Sequence, residues 1–338
     1  QREGVSMKKR QSKNLVTLAM LAVLFTAAAA LLYTGTAGRQ LSNMLIPICV
    51  YIVLAVSLNL VVGLLGELSL GHAGFLSVGL FSGCLLSIAL SASLPGALRL
   101  PLSMLLGGVV AALFGLLIGL PALRLRGDYL AIVTLACGEI IKSVITNLSV
   151  TGGALGLDTS SIYSGAKALL PYGIVLVFLT VLAAMNLKKS RYGRAIMAIR
   201  DNRIAAESVG IQVTYFKLTV FMIAAFFAGA AGVLYGHSFA NVKAASFDYN
   251  LSIEILVIVV LGGMGSIRGS IVAAIVLQVL PEVLREFADY RMLAYSVVLI
   301  AMMLLHHAPC FARVRECCAP AALLQRVREK REEKEARV

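Results

Sequence analysis

Charge is scarce in this chain. Only 14% of its 338 residues are Asp, Glu, Lys or Arg, while 59% are hydrophobic, and mean hydropathy is +0.89. Soluble domains carry about 25% charged and about 45–50% apolar residues, so a soluble globular domain is excluded. Enzyme signatures are missing too. There is no HExxH, no GxSxG and no Ser/His/Asp arrangement at recognisable spacing, and the His306-His307 pair has no carboxylate beside it. No Gly-Lys dipeptide occurs, so the chain has no P-loop. The six cysteines (Cys49, Cys84, Cys137, Cys310, Cys317 and Cys318) form no CxxC or Cys/His metal spacing. They read as small apolar residues and reduced thiols, with Cys317-Cys318 open to acylation. No enzyme activity, metal or bound cofactor is expected of this chain.

What the sequence has in abundance is apolar runs close to the ~20 residues needed to cross ~30 Å of hydrocarbon. They predict an all-α, polytopic membrane protein with spans at about 14–34, 43–65, 73–93, 101–121, 129–149, 171–187, 217–238 and 292–305, and a further region at 251–280. The linkers carry breakers at Pro95-Gly96, Pro101, Gly127-Asp128, Thr151-Gly152-Gly153 and Pro171. The first run follows Lys8, Lys9, Arg10 and Lys13 but is too long for a signal-peptide core and ends without a small-residue cleavage site, so it reads as an uncleaved span. Met7 is a candidate natural start.

The net charge of +13 reflects topology rather than nucleic-acid binding. Twenty of the thirty Lys and Arg fall in residues 1–13, 188–217 and 313–338, and no aromatic-interleaved basic surface accompanies them. Three cytosolic segments require an even number of crossings between each pair. Splitting 251–280 into two short helices at "GGMGSIRG" satisfies this and predicts about ten crossings with both termini in the cytosol. The expected organisation is a basic cytosolic N-terminus (1–13), a transmembrane domain (14–305) with a cytosolic loop at 188–216, and a charged cytosolic tail (306–338). That tail has i,i+4 opposite charges at Arg328/Glu332, Arg331/Glu335 and Glu333/Arg337, fit for a solvated helix.

Two Gly-rich breaks interrupt apolar sequence: "GLLGELSLGHAG" at 63–74, and the one holding Gly262, Gly263, Gly265 and Gly269. Irregular backbone at membrane depth survives only where protein or a wet cavity satisfies it, and paired breaks are a pointer to a transport pathway. Close helix packing is the competing reading, and it is assigned to Gly79/Gly83, Gly115/Gly119 and Gly232/Gly236. Ionisable residues inside spans are costly and default to function. Here they are Glu67, with His72 five residues on; Glu139 and Lys142, one helical turn apart and able to pair; and Glu254, placed near the outer interface. Glu67, Ser69, Gly71, His72, Thr151, Gly152 and Gly153 are the candidate substrate-pathway residues, Glu67 being a carboxylate suited to an ammonium group.

Residues 188–217, "KKSRYGRAIMAIRDNRIAAESVGIQVTYFK", are longer than the other links and have a defined design. Arg194–Arg200 can form a helical approach, Asp201 or Asn202 can cap a short helix over 203–209, and Gly210 can supply its left-handed stop. A unit rigid from Arg200 to Val209 is expected. This loop resembles the coupling loop of ABC importer permeases: Ala205, Ala206, Glu207 and Gly210 keep the elements of the Glu-Ala-Ala…Gly pattern, though not their order.

A larger resemblance is carried by "GLLGELSLGHAGF", "GDYLAIVTLACGEII", "TGGALGL", "SRYGRAIMAIRDNRIAAESVGI", "SIEILVIVVLGGMGSIRGS" and "LPEVLREFADYRMLAYSVVLI". Together these blocks are similar to the permease subunit of branched-chain amino acid (LIV-type) ABC importers. The resemblance implies a multi-pass bacterial inner-membrane protein that works with a second, similar permease, two ATPases holding ATP-Mg, and an extracytoplasmic solute-binding protein. It also implies an ATPase contact through Arg200, Asp201, Arg203, Ala205, Ala206, Glu207 and Gly210. The family commonly has Gln at the position of Glu67, and often Pro-Asn where this chain has Ala154-Leu155. Relatives in the superfamily carry urea or aromatic acids. The rival reading is an ion-driven secondary transporter of small polar solutes with Glu67, Glu139 and Lys142 as its relay. A membrane scaffold and an intramembrane enzyme are weaker.

Overall fold

A computed structural model of the chain describes residues 39–283, apart from Arg126, with isolated positions at 25–26, 296–297 and 300. Apart from those isolated positions, the expected spans at 14–34 and 292–305 and both charged termini lie outside the described residues. Two compact units are distinguished, Gln1–Val279 and Leu280–Val338; the second has few described positions, and everything below concerns the first.

The protein is an all-α polytopic membrane protein. Its helices are α1 (Arg39–Asn59), α2 (His72–Ala89), α3 (Gly96–Ala122), α4 (Asp128–Asn147), α5 (Ala166–Lys189), α6 (Arg191–Asp201), α7 (Arg203–Ser208), α8 (Val213–Gly236), α9 (Tyr249–Gly262) and α10 (Ile267–Val283). Among the described residues, seven helical stretches are long and apolar enough to cross a membrane. The expected split of 251–280 is observed: α9 and α10 are separate helices joined through Gly263–Ser266, where Gly263 and Gly265 take positive φ.

Helices α2, α3 and α8 form the tightest packing, and glycine permits it. A methyl group at Gly79 would overlap the backbone of Gly229, one at Gly229 would meet Gly107, and one at Gly232 would overlap the carbonyl of Leu76. The small-residue repeats therefore act as helix-packing surfaces, as the sequence predicts. Helix α8, at 24 residues, spans ~36 Å. One end of the bundle carries Lys188, Lys189, Arg191, Arg194, Arg200 and Arg203 and is called the basic end here.

Two expectations need correction. Pro101 and Pro171 do not lie in linkers but six residues into α3 and α5. A proline there leaves the carbonyl four residues earlier without its helical donor. For Pro101 that carbonyl is Ala97, which accepts from the Tyr172 hydroxyl at 3.3 Å. Nor is there one rigid unit from Arg200 to Val209. The helix breaks at Asn202, whose backbone is extended (φ −155°, ψ 103°), because its side chain caps α7 instead.

Candidate functional site

At the basic end, α1 changes to wider π-type turns over Leu60–Leu65 and stops at Gly66, whose φ is +80°. Residues 66–71 then run back into the bundle without helix, and α2 starts from inside it. The protein itself satisfies this segment. The Leu70 N–H donates to Thr134 Oγ1 at 3.0 Å, the Ala73 N–H donates to Ser252 Oγ at 3.1 Å, and His72 Nε2 shares a 2.9 Å hydrogen bond with Ser57. Gly71 sits against the Thr134 carbonyl, leaving no room for a side chain. Ser69 is fully buried, and its hydroxyl has no hydrogen-bond partner among the described residues.

Glu67 forms an ion pair with Lys217 at the start of α8, and both side chains are largely buried. Lys217 is a residue that sequence reasoning missed as a site member. It looked like part of the basic loop, and nothing local marks a partner 150 residues away. The pair borders a cleft of about 400 Å³ that is lined mostly by residues of the 199–207 loop, including Arg200, Asp201, Arg203 and Glu207, with Leu65 and Gly66. The structure thus puts Glu67 beside the candidate coupling residues. Ser69, Gly71 and His72 lie deeper in the bundle.

The loop is built as a capped helix. Ser190 caps α6 through the Gly193 N–H, and Asn202 caps α7 by accepting from the Ala205 N–H at 3.1 Å. Of the two cap candidates Asn202 is the one used; Asp201 ends α6 and pairs with Arg200. Arg203 and Glu207 pair across one turn at 2.8 Å, and Gly210 follows with φ +83°. Ala206 is buried with Ile199 and Val213, which roots α7 on the bundle. Ile204 and Val209 stand out from the same turn, 78% and 75% exposed.

Arg200 ties this loop to the first Gly-rich break. One guanidinium nitrogen donates to the Gly63 carbonyl at 3.0 Å, and its aliphatic stem lies over Gly66, where a Cβ would crowd it. Lys188 ties the second break by donating to the Gly265 carbonyl at 2.6 Å. The two breaks also meet each other. Asn59 accepts from the Gly265 N–H at 2.7 Å and donates to Ser270 at 2.9 Å, and a methyl at Gly63 would overlap Asn59 and the Gly265 backbone. Gly262 and Gly269 pack backbone to backbone across the α9–α10 turn.

Thr151, Gly152 and Gly153 are not brought to this place. They follow the C-terminus of α4, ~20 Å of helix beyond Thr134. The Thr151 hydroxyl donates to the carbonyls of Ile145 and Leu148, at 2.6 and 2.8 Å, and so caps α4. There the chain forms strand β1 (Leu157–Asp158), paired antiparallel with β2 (Asn241–Val242). The Ser160 N–H donates to Asp158 at 2.9 Å, which holds that exposed carboxyl below the usual carboxylate range. Glu139 pairs with Lys142 and accepts from the Tyr249 N–H at 2.9 Å. Each of these two glutamates has its own lysine, and the structure does not link them as a relay.

A family model described as the permease component of branched-chain amino acid transport systems matches residues 40–307. The chain belongs to this permease family. It is 37% identical over 290 residues to the high-affinity branched-chain amino acid transport system permease protein of Salmonella typhimurium, covering 75% of this chain and 66% of the relative. A probable branched-chain amino acid transport permease protein of Methanocaldococcus jannaschii is 28% identical over 202 residues, covering 57% of each chain. The ribose import permease protein of Haemophilus influenzae is 25% identical over 273 residues, covering 78% of this chain and 83% of that one. The alignment thus spans just under two thirds of the Salmonella relative's length. No solved structure matches the chain. Within the permease family frame, the described residues contain no group of His, Cys, Asp and Glu able to hold a metal ion.

Proposed function

We propose that this chain is one membrane-spanning subunit of an ATP-driven importer of amino acids with branched aliphatic side chains, working by alternating access. It acts in a bacterial inner membrane with a second similar permease, two ATPases that bind ATP-Mg, and an extracytoplasmic solute-binding protein. The basic end faces the cytosol, because Lys and Arg are retained there, and ten crossings place both termini on that side.

The observation that carries this reading is the projecting helix α7. It is capped at both ends, rooted through Ala206, and exposes Ile204 and Val209 beside charged Arg203 and Glu207. Exposed apolar side chains rimmed by charge are the composition of a docking tip for another protein. The ATPase takes that tip, and its motion reaches the spans through Arg200 and Lys188, which hold the two Gly-rich breaks. Glu67, Ser69, Gly71 and His72 stand next to that linkage. The paired loops at 150–170 and 239–250 form the opposite face, where the binding protein docks; Val150 and Leu155 are exposed there.

The test is a pull-down from detergent-solubilised membranes of the native host, comparing wild type with Glu207→Arg. An ATPase should co-purify with wild type and be lost or weakened in the variant, because the substitution replaces the α7 ion pair with two like charges. If no ATPase co-purifies after cross-linking, the coupling role of this loop is wrong.

A further inference from the structure

Two of the glutamates within or beside the described spans have a lysine. Glu67 has Lys217 and Glu139 has Lys142. Glu254 differs. Among the described residues it forms no ion pair, and its two carboxylate oxygens accept only neutral donors: the Tyr51 hydroxyl at 3.3 Å and the Gln278 amide at 3.4 Å. Both bonds are long, since O–H···O bonds usually fall at about 2.5–3.0 Å and N–H···O bonds at about 2.7–3.2 Å. A carboxylate in a span is costly, and no described residue supplies Glu254 with a cation, so the site is suited to one from a ligand.

Glu254 opens onto a cavity of about 270 Å³ between α1, α2, α8 and the start of α9. One wall is aliphatic, with Leu54 and Leu76 both buried. Tyr235, Asp248 and Asn250 line the same cavity; Tyr235 offers a hydroxyl donor, and the Asn250 amide donates to the Asp248 carboxylate at 2.7 Å. Two acids, tyrosine hydroxyls and an aliphatic wall around a small volume suit an ammonium group carried beside an apolar side chain, as in an α-amino acid with an aliphatic side chain. Its ammonium would meet Glu254, its carboxylate the Tyr235 hydroxyl, and its side chain Leu54 and Leu76.

We propose that this cavity is an amino-acid subsite on the permease, with Glu254 as its ammonium-binding residue and Tyr51 as the positioning residue for that carboxylate. The proposal rests on the importer reading and adds to it the place and polarity of cargo recognition within the membrane domain.

The experiment reconstitutes the complete importer in proteoliposomes and measures leucine uptake at saturating loaded binding protein, so that delivery is not limiting. Glu254→Gln should lower the maximal rate at least tenfold while the complex still co-purifies, and Tyr51→Phe should lower it several-fold. Leu54→Phe, which fills the aliphatic wall, should shift competition between cargoes from leucine toward alanine. Should Glu254→Gln fail to assemble, the other two variants carry the test. A Glu254→Gln rate above half of wild type, or an unchanged rate in Tyr51→Phe with unchanged cargo preference in Leu54→Phe, overturns the subsite. A wild-type complex that imports no amino acid overturns the importer reading itself and the subsite with it.

Discussion

Breaking the Glu67–Lys217 pair gives the sharpest energetic test of the basic-end architecture. The side chain of Lys217 is only 5% exposed and that of Glu67 14%, so neither charge regains full hydration when its partner is removed. Removing one member of a buried pair typically costs about 3–5 kcal/mol, because the other is left desolvated without compensation. The lower figure suits this site, since Glu67 borders an open cleft. Lys217→Met and Glu67→Gln should each lose about 3 kcal/mol, seen as a melting point lowered by roughly 6–12 °C in detergent. The double variant removes both charges and keeps the volume, so it should recover at least about 2 kcal/mol of what the two single changes would lose if they added. Thermal unfolding of all four proteins under one detergent condition completes the cycle. Effects that add within about 0.5 kcal/mol would mean the two groups do not interact, and the pairing would be refuted.

Two further substitutions address the loop and the breaks. Gly210→Val forces a β-branched residue into a left-handed conformation (φ +83°) in open space, at a strain cost of about 1–2 kcal/mol. ATP-driven uptake should fall while membrane insertion is retained, and normal uptake would count against α7 as a coupling element. Gly63→Ala places a methyl against the Gly265 backbone, which cannot yield as a flexible side-chain end would, and against Asn59 Oδ1, which would have to give up its bond from the Gly265 N–H. It should separate the two breaks and lower both uptake and the melting point. Wild-type behaviour on both would show that their contact is dispensable.

Much of the architecture was legible because apolar runs, caps and glycines act locally. The split between α9 and α10 follows from a parity argument over positive charges, and the α7 design follows from Asn202, Gly210 and the alanines between them. What could not be read was long-range. Lys217 lies in a run of basic residues, and only the fold shows it turned inward to Glu67. Glu254 was placed near the outer interface, where water alone could account for it; its neighbours Tyr51 and Gln278 come from elements 203 and 24 residues away. Pro101 reads as a breaker because the hydroxyl that satisfies Ala97 belongs to Tyr172, 75 residues downstream. Each of these required knowing which helices are neighbours.

The two Gly-rich breaks illustrate the point most fully. Along the sequence they are separate interruptions, each open to explanation by helix packing or by a pathway. In the fold they are one contact, with Gly63 against Gly265 and Asn59 bridging to both Gly265 and Ser270. Glycine is needed there for close approach, so the packing explanation is correct. Yet the same contact is gripped from outside by Arg200 on Gly63 and Lys188 on Gly265, cations in the last turns of α6 and α5 respectively. A packing contact between breaks that is held by the projecting loop cannot be independent of that loop's position. A displacement of the α5–α6 corner as a unit must either carry both breaks with it or break at least one of these hydrogen bonds. Packing therefore does not exclude a pathway role at this site: the close glycine contact joins two interrupted spans, and each is tied to a cation of the α5–α6 corner.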